Sequence, residues 1–553
     1  MGKRDIVFCL VCLLGVMALA ASLWRRDRVE PPRDLTPLTP AAAAPDFKVT
    51  LDKVNQAFQE EWKTTGLDPA PPANNLTLAR RLSLSLTGTV PSLEEIRALE
   101  QVPESEQLAW WLSHLLEDRR YSDYVAERLA RAYVGTDFGP FLVFRRRRFV
   151  SWLSDRLHRQ DIAYNELVQR LISEDGLWTD SPAVNFVTAT ADPNQDNRPD
   201  PIKLANRTSR AFLGMRIDCL QCHDDRLDKV RLGPVDSQRD GEQRDFHQLV
   251  AFYGDVGNSL AGIRDAKEHK GYRYKYLGAE EETLVEPQTP FLSDYVEQEG
   301  TLRERLARWV THPENKPFAR ATVNRFWALV YGRPLVEPVD DIKLHGPFPP
   351  VLEILADDFV ARGYDVRRLL RLMVANQAFL RDSQAEFELT EEHEKHWASF
   401  PLTRLRPEQV AGAVFQASTL TPVDGDAHIV RKLMKAGQTD EFVKRYGDTG
   451  EDEFEDRGGT IPQRLLMMNG ELVKERTQEN LVLNAATRIA VLAPDDRKAV
   501  ETAYLAVLTR RPSYEESEHF ANRLQSMRGN ERIGALEDLF WVLINSTEFS
   551  WNH

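Results

Sequence analysis

The sequence predicts a mainly α, multi-helical chain of two domains, and three observations carry that reading. From Phe47 onward, apolar residues recur at three- and four-residue intervals over most of the length, the period of helices that bury one face. Strand-like alternation is confined to Tyr272, Tyr274 and Tyr276. The 553 residues exceed what one core accommodates, so the chain divides into domains large enough to fold without crosslinks. Hydrophobic and charged contents of 42% and 28% are those of a globular protein. A formal charge of -14 argues against nucleic acid as a partner.

The chain opens with Lys3 and Arg4, then an apolar run of 19 residues from Ile6 to Trp24, long enough to span a bilayer. Residues 1–30 are expected to be a signal sequence, with Ala18-Leu19-Ala20 at the cleavage site, or an uncleaved transmembrane anchor. Residues 31–46, rich in Pro and Ala, read as a tether. The first domain is expected over 47–286. Its helices begin around Leu51, Val54 and Phe58, and a Pro-rich turn precedes a second helix from Leu76 to about Leu86. Ser92 and Glu95 form a capping box that starts a third. Gln107–Leu116, Tyr121–Val134, Arg145–Ile172, Ile202–Met215 and Asp245–Tyr253 continue the series. The second domain, 300–553, begins with helices at Leu302–Val310 and Phe318–Tyr331 and ends with helices from about Pro462 to Asn545. The basic run Arg145–Arg148 reads as a solvated face or a partner of internal carboxylates. Asp192, Asn194 and Asp196 have the spacing that opens a calcium loop, but Asn197 and Lys203 stand where Gly and a bidentate acid are needed, so a polar turn is expected.

The chemistry concentrates in Cys219, Cys222 and His223, which form C-x-x-C-H, the attachment signature of a c-type haem. Two thiols about one helical turn apart suit thioether bonds to the vinyl groups, and the following imidazole suits the iron. Candidates for a sixth ligand are His247, His269, His345, Met373, Met467 and Met468, with His247 first because it lies on an amphipathic helix near the motif. Two other readings stay open. Cys219 and Cys222 could close a local disulfide. Alternatively the motif could ligate zinc or iron, with Asp224, Asp225 or His247 completing the set. The remaining cysteines, Cys9 and Cys12, fall within the apolar run, so the exported part has no disulfide framework.

Several blocks in order resemble a two-part planctomycete family, in which a cytochrome-associated domain of unknown function precedes a planctomycete-specific domain of unknown function. The blocks include RRLSLSLTGTVPSLEEI from Arg80, SRAFLGMRIDCLQCHD from Ser209, RATVNRFWALVYGRPLVEPVDDI from Arg320, RLRPEQVAGAV from Arg404 and INSTEFSWNH at the end. The resemblance implies a cytochrome association and no established reaction. The sequence departs from the family where a second histidine commonly follows the motif, here Asp225, and where Ser-His-Pro is usual, here Phe348-Pro349-Pro350.

These observations together predict a cell-envelope protein on the exported, periplasmic side of the membrane, tethered by its N-terminal helix, carrying one haem c and meeting a redox partner protein. The alternative is a hydrolase-associated or scaffold protein of the cell envelope in which the motif is a structural metal site or a disulfide. No G-x-S-x-G or H-E-x-x-H motif supports an enzyme.

Overall fold

Helix follows helix along almost the whole of the computed structural model, which describes residues 45–136, 146–191, 198–266, 271–422, 441–447, 454, 460–470, 472–474 and 484–553. The expected N-terminal anchor and the Asp192 loop lie outside these residues. No helix among them is long and apolar enough to cross a membrane.

Helix α1 (Pro45–Thr65) buries Phe47, Val54, Phe58 and Trp62 along one face, the stripe its spacing encodes. Helix α2 (Asn75–Thr87) starts where the Asn74 side chain accepts from the Thr77 N–H and stops at Gly88 in the left-handed conformation. Helix α3 (Leu93–Leu99) opens with the expected Ser92–Glu95 capping box, both of whose hydrogen bonds form. Helices α4 (Gln107–Glu117) and α5 (Arg119–Val134) meet at Asp118, whose side chain caps α5 through the Arg120 N–H. The stretch read from Arg145 to Ile172 divides into α6 (Arg146–Arg159) and α7 (Tyr164–Ser173), because Gln160 takes a positive φ of 52° and breaks the helix. Arg146 pairs with Glu127 at 2.8 Å, an internal carboxylate of the kind that reading anticipates.

After α8 (Pro201–Phe212) come the motif loop, α9 (Gln243–Val250) and three small antiparallel ribbons. Strand β1 (Arg231–Leu232) pairs with β2 (Arg239–Asp240), β3 (Val256–Ser259) with β4 (Gly262–Asp265), and β5 (Tyr272–Tyr274) with β6 (Thr283–Val285). Only β5 is anticipated by the alternating tyrosines; the other strands, two to four residues long, are too short to leave a clear alternation. Helices α10 (Leu302–Val310), α11 (Lys316–Tyr331), α12 (Pro350–Ala361) and α13 (Val366–Ala375) follow. A last ribbon joins β7 (Thr403–Arg404) to β8 (Trp551–Asn552) across the second half of the chain. Between them lie α14 (Pro407–Ala417), α15 (Ile461–Asn469), α16 (Ala485–Leu492), α17 (Asp496–Leu508), α18 (Tyr514–Leu524) and α19 (Gly529–Ile544).

The described residues bury two apolar cores. One runs from Phe47 to Phe400 and so takes side chains from both sides of the segment between Glu286 and Leu302; the other gathers residues from Leu405 to Phe549 together with Leu84 and Val90. Helix α2 serves both, with Leu78, Leu82 and Leu86 in the first core and Leu84 in the second. Its two arginines are also buried. Arg80 donates to the carbonyls of Val507 at 3.3 Å and Phe549 at 3.1 Å. Arg81 donates to Phe379 at 3.0 Å, Arg381 at 2.7 Å and His553 at 2.6 Å, and its guanidinium lies 3.8 Å over the Phe400 ring. Burial pulls the Arg81 pKa down to about 9, although Asp382 pulls it back toward its usual value. The cation persists at neutral pH and ties three backbone segments together.

Arg81→Met would leave three carbonyls without these donors. The expected loss is about 3 kcal/mol, measured by chemical denaturation at pH 7; a loss within about 0.5 kcal/mol would mean that the arginine is not a tie.

Candidate functional site

Helix α8 delivers the chain to the motif. Asp200 caps it by accepting from the N–H groups of Ile202 at 3.0 Å and Lys203 at 3.2 Å, and Pro201 occupies its first turn. The helix ends before Gly214, whose φ is +62° and whose carbonyl accepts from the Ile342 N–H at 2.6 Å. A side chain there would crowd Ala321, because an added Cβ would lie 3.0 Å from the Ala321 Cβ.

A carboxylate fixes the approach. Asp340 is buried and takes two guanidiniums, Arg210 on one oxygen at 2.7 Å and 2.9 Å and Arg216 on the other at 2.7 Å and 3.0 Å. Burial alone would raise its pKa. The Arg216 hydrogen bonds and the Arg210 charge outweigh that effect and hold it below the usual carboxylate range.

Asp218–Gln221 then form a 3₁₀ turn, anchored by the fully buried Leu220 and continued by a weak Cys222 N–H to Cys219 carbonyl contact at 3.4 Å. Both thiols are free and exposed. Burial raises the Cys219 pKa, as do the neighbouring charges of Asp218 and Asp225, so this sulfur stays protonated at neutral pH.

The carbonyl of Gln221, between the two cysteines, is held from three sides. His247 Nε2 lies at 3.0 Å, Gln243 Nε2 at 3.0 Å and Tyr274 Oη at 3.2 Å. A carbonyl can only accept, so His247 carries its proton on Nε2; Nδ1 then accepts from Tyr272 Oη at 2.9 Å. The imidazole stacks on Tyr274 with ring centroids 3.4 Å apart, and burial lowers its pKa and keeps it neutral. Both nitrogens are thereby occupied, and neither is left to ligate an ion or a haem iron.

His223 has the opposite character. It is exposed, and its Nδ1 donates to the Asp224 carbonyl at 2.8 Å. That bond selects the tautomer whose Nε2 carries a lone pair, the orientation that a backbone carbonyl imposes on metal-ligating histidines.

The acids proposed as metal ligands accept backbone hydrogen bonds of their own. Asp224 Oδ1 accepts from the Gln243 N–H at 2.8 Å, at the start of α9. Asp225 accepts from Leu227 N–H at 3.0 Å on one oxygen and Val230 N–H at 2.7 Å on the other. Burial would raise its pKa, but these amides hold it below the usual range. Among the described residues, no three donors of Cys219, Cys222, His223, Asp224, Asp225 and His247 gather within 4.8 Å. Glu95, His114 and Asp118 do gather, but Arg120 already supplies the cation there, bonding Glu95 and lying 2.8 Å from Asp118. Around the motif the structure thus shows two free thiols and an imidazole whose Nε2 keeps its lone pair, the donor types that covalent haem attachment uses.

Of the other expected axial ligands, His345 Nε2 donates to the Gly233 carbonyl at 2.8 Å, Met373 is buried in the first core, Met467 is buried in the second, and Met468 is partly exposed on α15. His269 lies outside the described residues. Sequence reasoning missed Asp340, Gln243 and the tyrosine ring contacts; only the strand pattern of the tyrosines hinted at a structured wall.

Comparison with known families places two models on the chain in sequence order. PSCyt2, a protein of unknown function (DUF1549), matches residues 53–256, and PSD1, a protein of unknown function (DUF1553), matches residues 302–453. The chain belongs to this two-domain family. No curated protein and no solved structure matches it. The C-x-x-C-H turn lies in the PSCyt2 region and Asp340 in the PSD1 region, so the clamp on Arg210 and Arg216 crosses from one to the other.

Because the Asp340 pKa is depressed on folding, its contribution is complete above the unfolded carboxylate value of about 3.9 and is lost as pH falls through the lower folded value. Asp340→Asn is expected to cost about 2 kcal/mol at pH 7. Denaturation at stepped pH checks this: the gap between wild type and variant should narrow below about pH 4.

Proposed function

We propose that this protein is an exported c-type cytochrome that carries one haem on Cys219, Cys222 and His223 and exchanges electrons with a partner protein. The observation that carries the reading is the tautomer of His223: its Nδ1 is committed to the Asp224 carbonyl, leaving Nε2 free beside two exposed, unpaired thiols.

Bound haem would supply reversible one-electron transfer at its iron. The chain's own residues supply the seat. Cys219 and Cys222 would hold the porphyrin through thioethers, and His223 Nε2 would face the iron. Leu220 and the three hydrogen bonds donated to the Gln221 carbonyl keep the turn from shifting, which limits reorganisation when charge changes. Leu227 and Leu277, on loops beside the motif, are 73% and 76% exposed and offer apolar cover for a porphyrin face or a partner. Export supplies the compartment in which such thiols are matured, and the apolar run from Ile6 to Trp24 would tether the protein in the cell envelope.

A pyridine haemochrome spectrum of protein exported from cells with c-type maturation machinery tests this. One covalent haem per chain is expected, absent from the Cys219→Ala, Cys222→Ala double variant. A folded, haem-free wild type from cells that mature a control cytochrome would refute the reading.

A further inference from the structure

Three arginines of α13 face away from its core side, and only one of them is satisfied within the protein. Arg368 donates to Asp358 at 2.8 Å and 2.9 Å. Arg367 and Arg371 stand one helical turn apart and share a face. Both are half-buried, and among the described residues neither guanidinium makes a hydrogen bond or an ion pair. Like charges at this spacing repel, and partial burial limits the screening that solvent could supply. Burial lowers the Arg371 pKa; the Asp365 charge raises it and the Arg367 charge lowers it further.

A third donor meets the pair. Tyr121, in the first turn of α5, is 1% exposed, and its hydroxyl makes no hydrogen bond among the described residues. Burial raises its pKa, while the charges of Arg367 and Arg371 both reach it and act in the opposite sense. The phenol keeps its proton and can donate it. Arg367 Nε is fully buried and out of reach of a ligand, but the Nη groups of both arginines and the Tyr121 hydroxyl are not. The nearest carboxylates leave these donors unclaimed. Asp365 Oδ1 accepts from the Arg368 N–H at 3.0 Å and Glu117 is exposed, and neither forms an ion pair with Arg367 or Arg371 among the described residues.

Two unpaired cations and a phenol converging without an acceptor call for an anion with several oxygens. A carboxylate has two, and one guanidinium can occupy both. A phosphoryl or sulfuryl group has oxygens for both guanidiniums and for the phenol as well.

We propose that Arg367, Arg371 and Tyr121 form a binding site for a tetrahedral oxyanion, phosphate or sulfate, free or carried on a lipid headgroup. The two guanidiniums neutralise it and the Tyr121 hydroxyl donates to it. The site uses no residue of the cysteine turn, so haem-free and haem-loaded protein are expected to bind alike.

Calorimetric titration of the purified full chain with inorganic phosphate, sulfate and acetate, in chloride buffer at constant ionic strength, tests the site. One phosphate or sulfate per chain is expected, bound on the order of tenfold tighter than acetate. Arg367→Gln and Arg371→Gln should each weaken it on the order of tenfold, and Tyr121→Phe severalfold. Thermal melting gives a second reading. Without phosphate, Arg371→Gln should melt no lower than wild type, because it removes a repulsion; phosphate should raise the wild-type midpoint and leave that of the variant unchanged. Flotation with phosphatidylglycerol or phosphatidylcholine vesicles separates the two sources. Capture that depends on phosphatidylglycerol and is competed by free phosphate assigns the lipid headgroup, and capture without that dependence assigns the free anion. The site is overturned if neither phosphate nor sulfate binds more tightly than acetate, or if binding is unchanged in the folded variants.

Discussion

The geometry of the motif depends on one carboxylate. Asp340 receives Arg210 from the end of α8 and Arg216 from the segment that enters the cysteine turn, and so fixes the chain on both sides of Gly214. Three residues after Arg216 comes Cys219; the far side of the turn is held at the Gln221 carbonyl by His247, Gln243 and Tyr274. A turn with exposed thiols has little burial of its own to define it. Its order is borrowed from the two clamps and from Leu220 beneath it.

The same dependence links the two family regions within the chain. Residues matched by PSD1 supply Asp340 and the Ile342 amide, both of which bind the segment leading to the motif in the PSCyt2 region. The first core is continuous from Phe47 to Phe400, across both regions. Helix α2 then joins that core to the second through Leu84 and through two buried arginines that bond only backbone carbonyls at these distances. Guanidinium forks suit this task, since each can satisfy several carbonyls at once.

Much of the architecture was legible in the sequence because long helices repeat their apolar stripe: Phe47, Val54, Phe58 and Trp62 in α1 are one example, and the Ser92–Glu95 capping box placed a helix start to the residue. The motif was legible for a different reason, since its chemistry lies in consecutive residues. The supports were not. Asp340 lies 124 residues from Arg216 and has no local pattern. His247 looked like a ligand because an amphipathic helix carries it near the motif, yet packing turned both its nitrogens to structural bonds. Asp224 and Asp225 stand next to the motif in sequence, which says nothing of the backbone amides they also serve: Gln243 on one oxygen of Asp224, Leu227 and Val230 on the two of Asp225. Short ribbons escaped because strands of two to four residues carry almost no period.

Peptide mapping of the exported protein by mass spectrometry bears most directly on the central claim. The account predicts one peptide containing Cys219 to His223 that retains a haem after acid and organic extraction, with neither thiol open to alkylation. The same peptide recovered without haem, with both thiols alkylated or joined to each other, would contradict it.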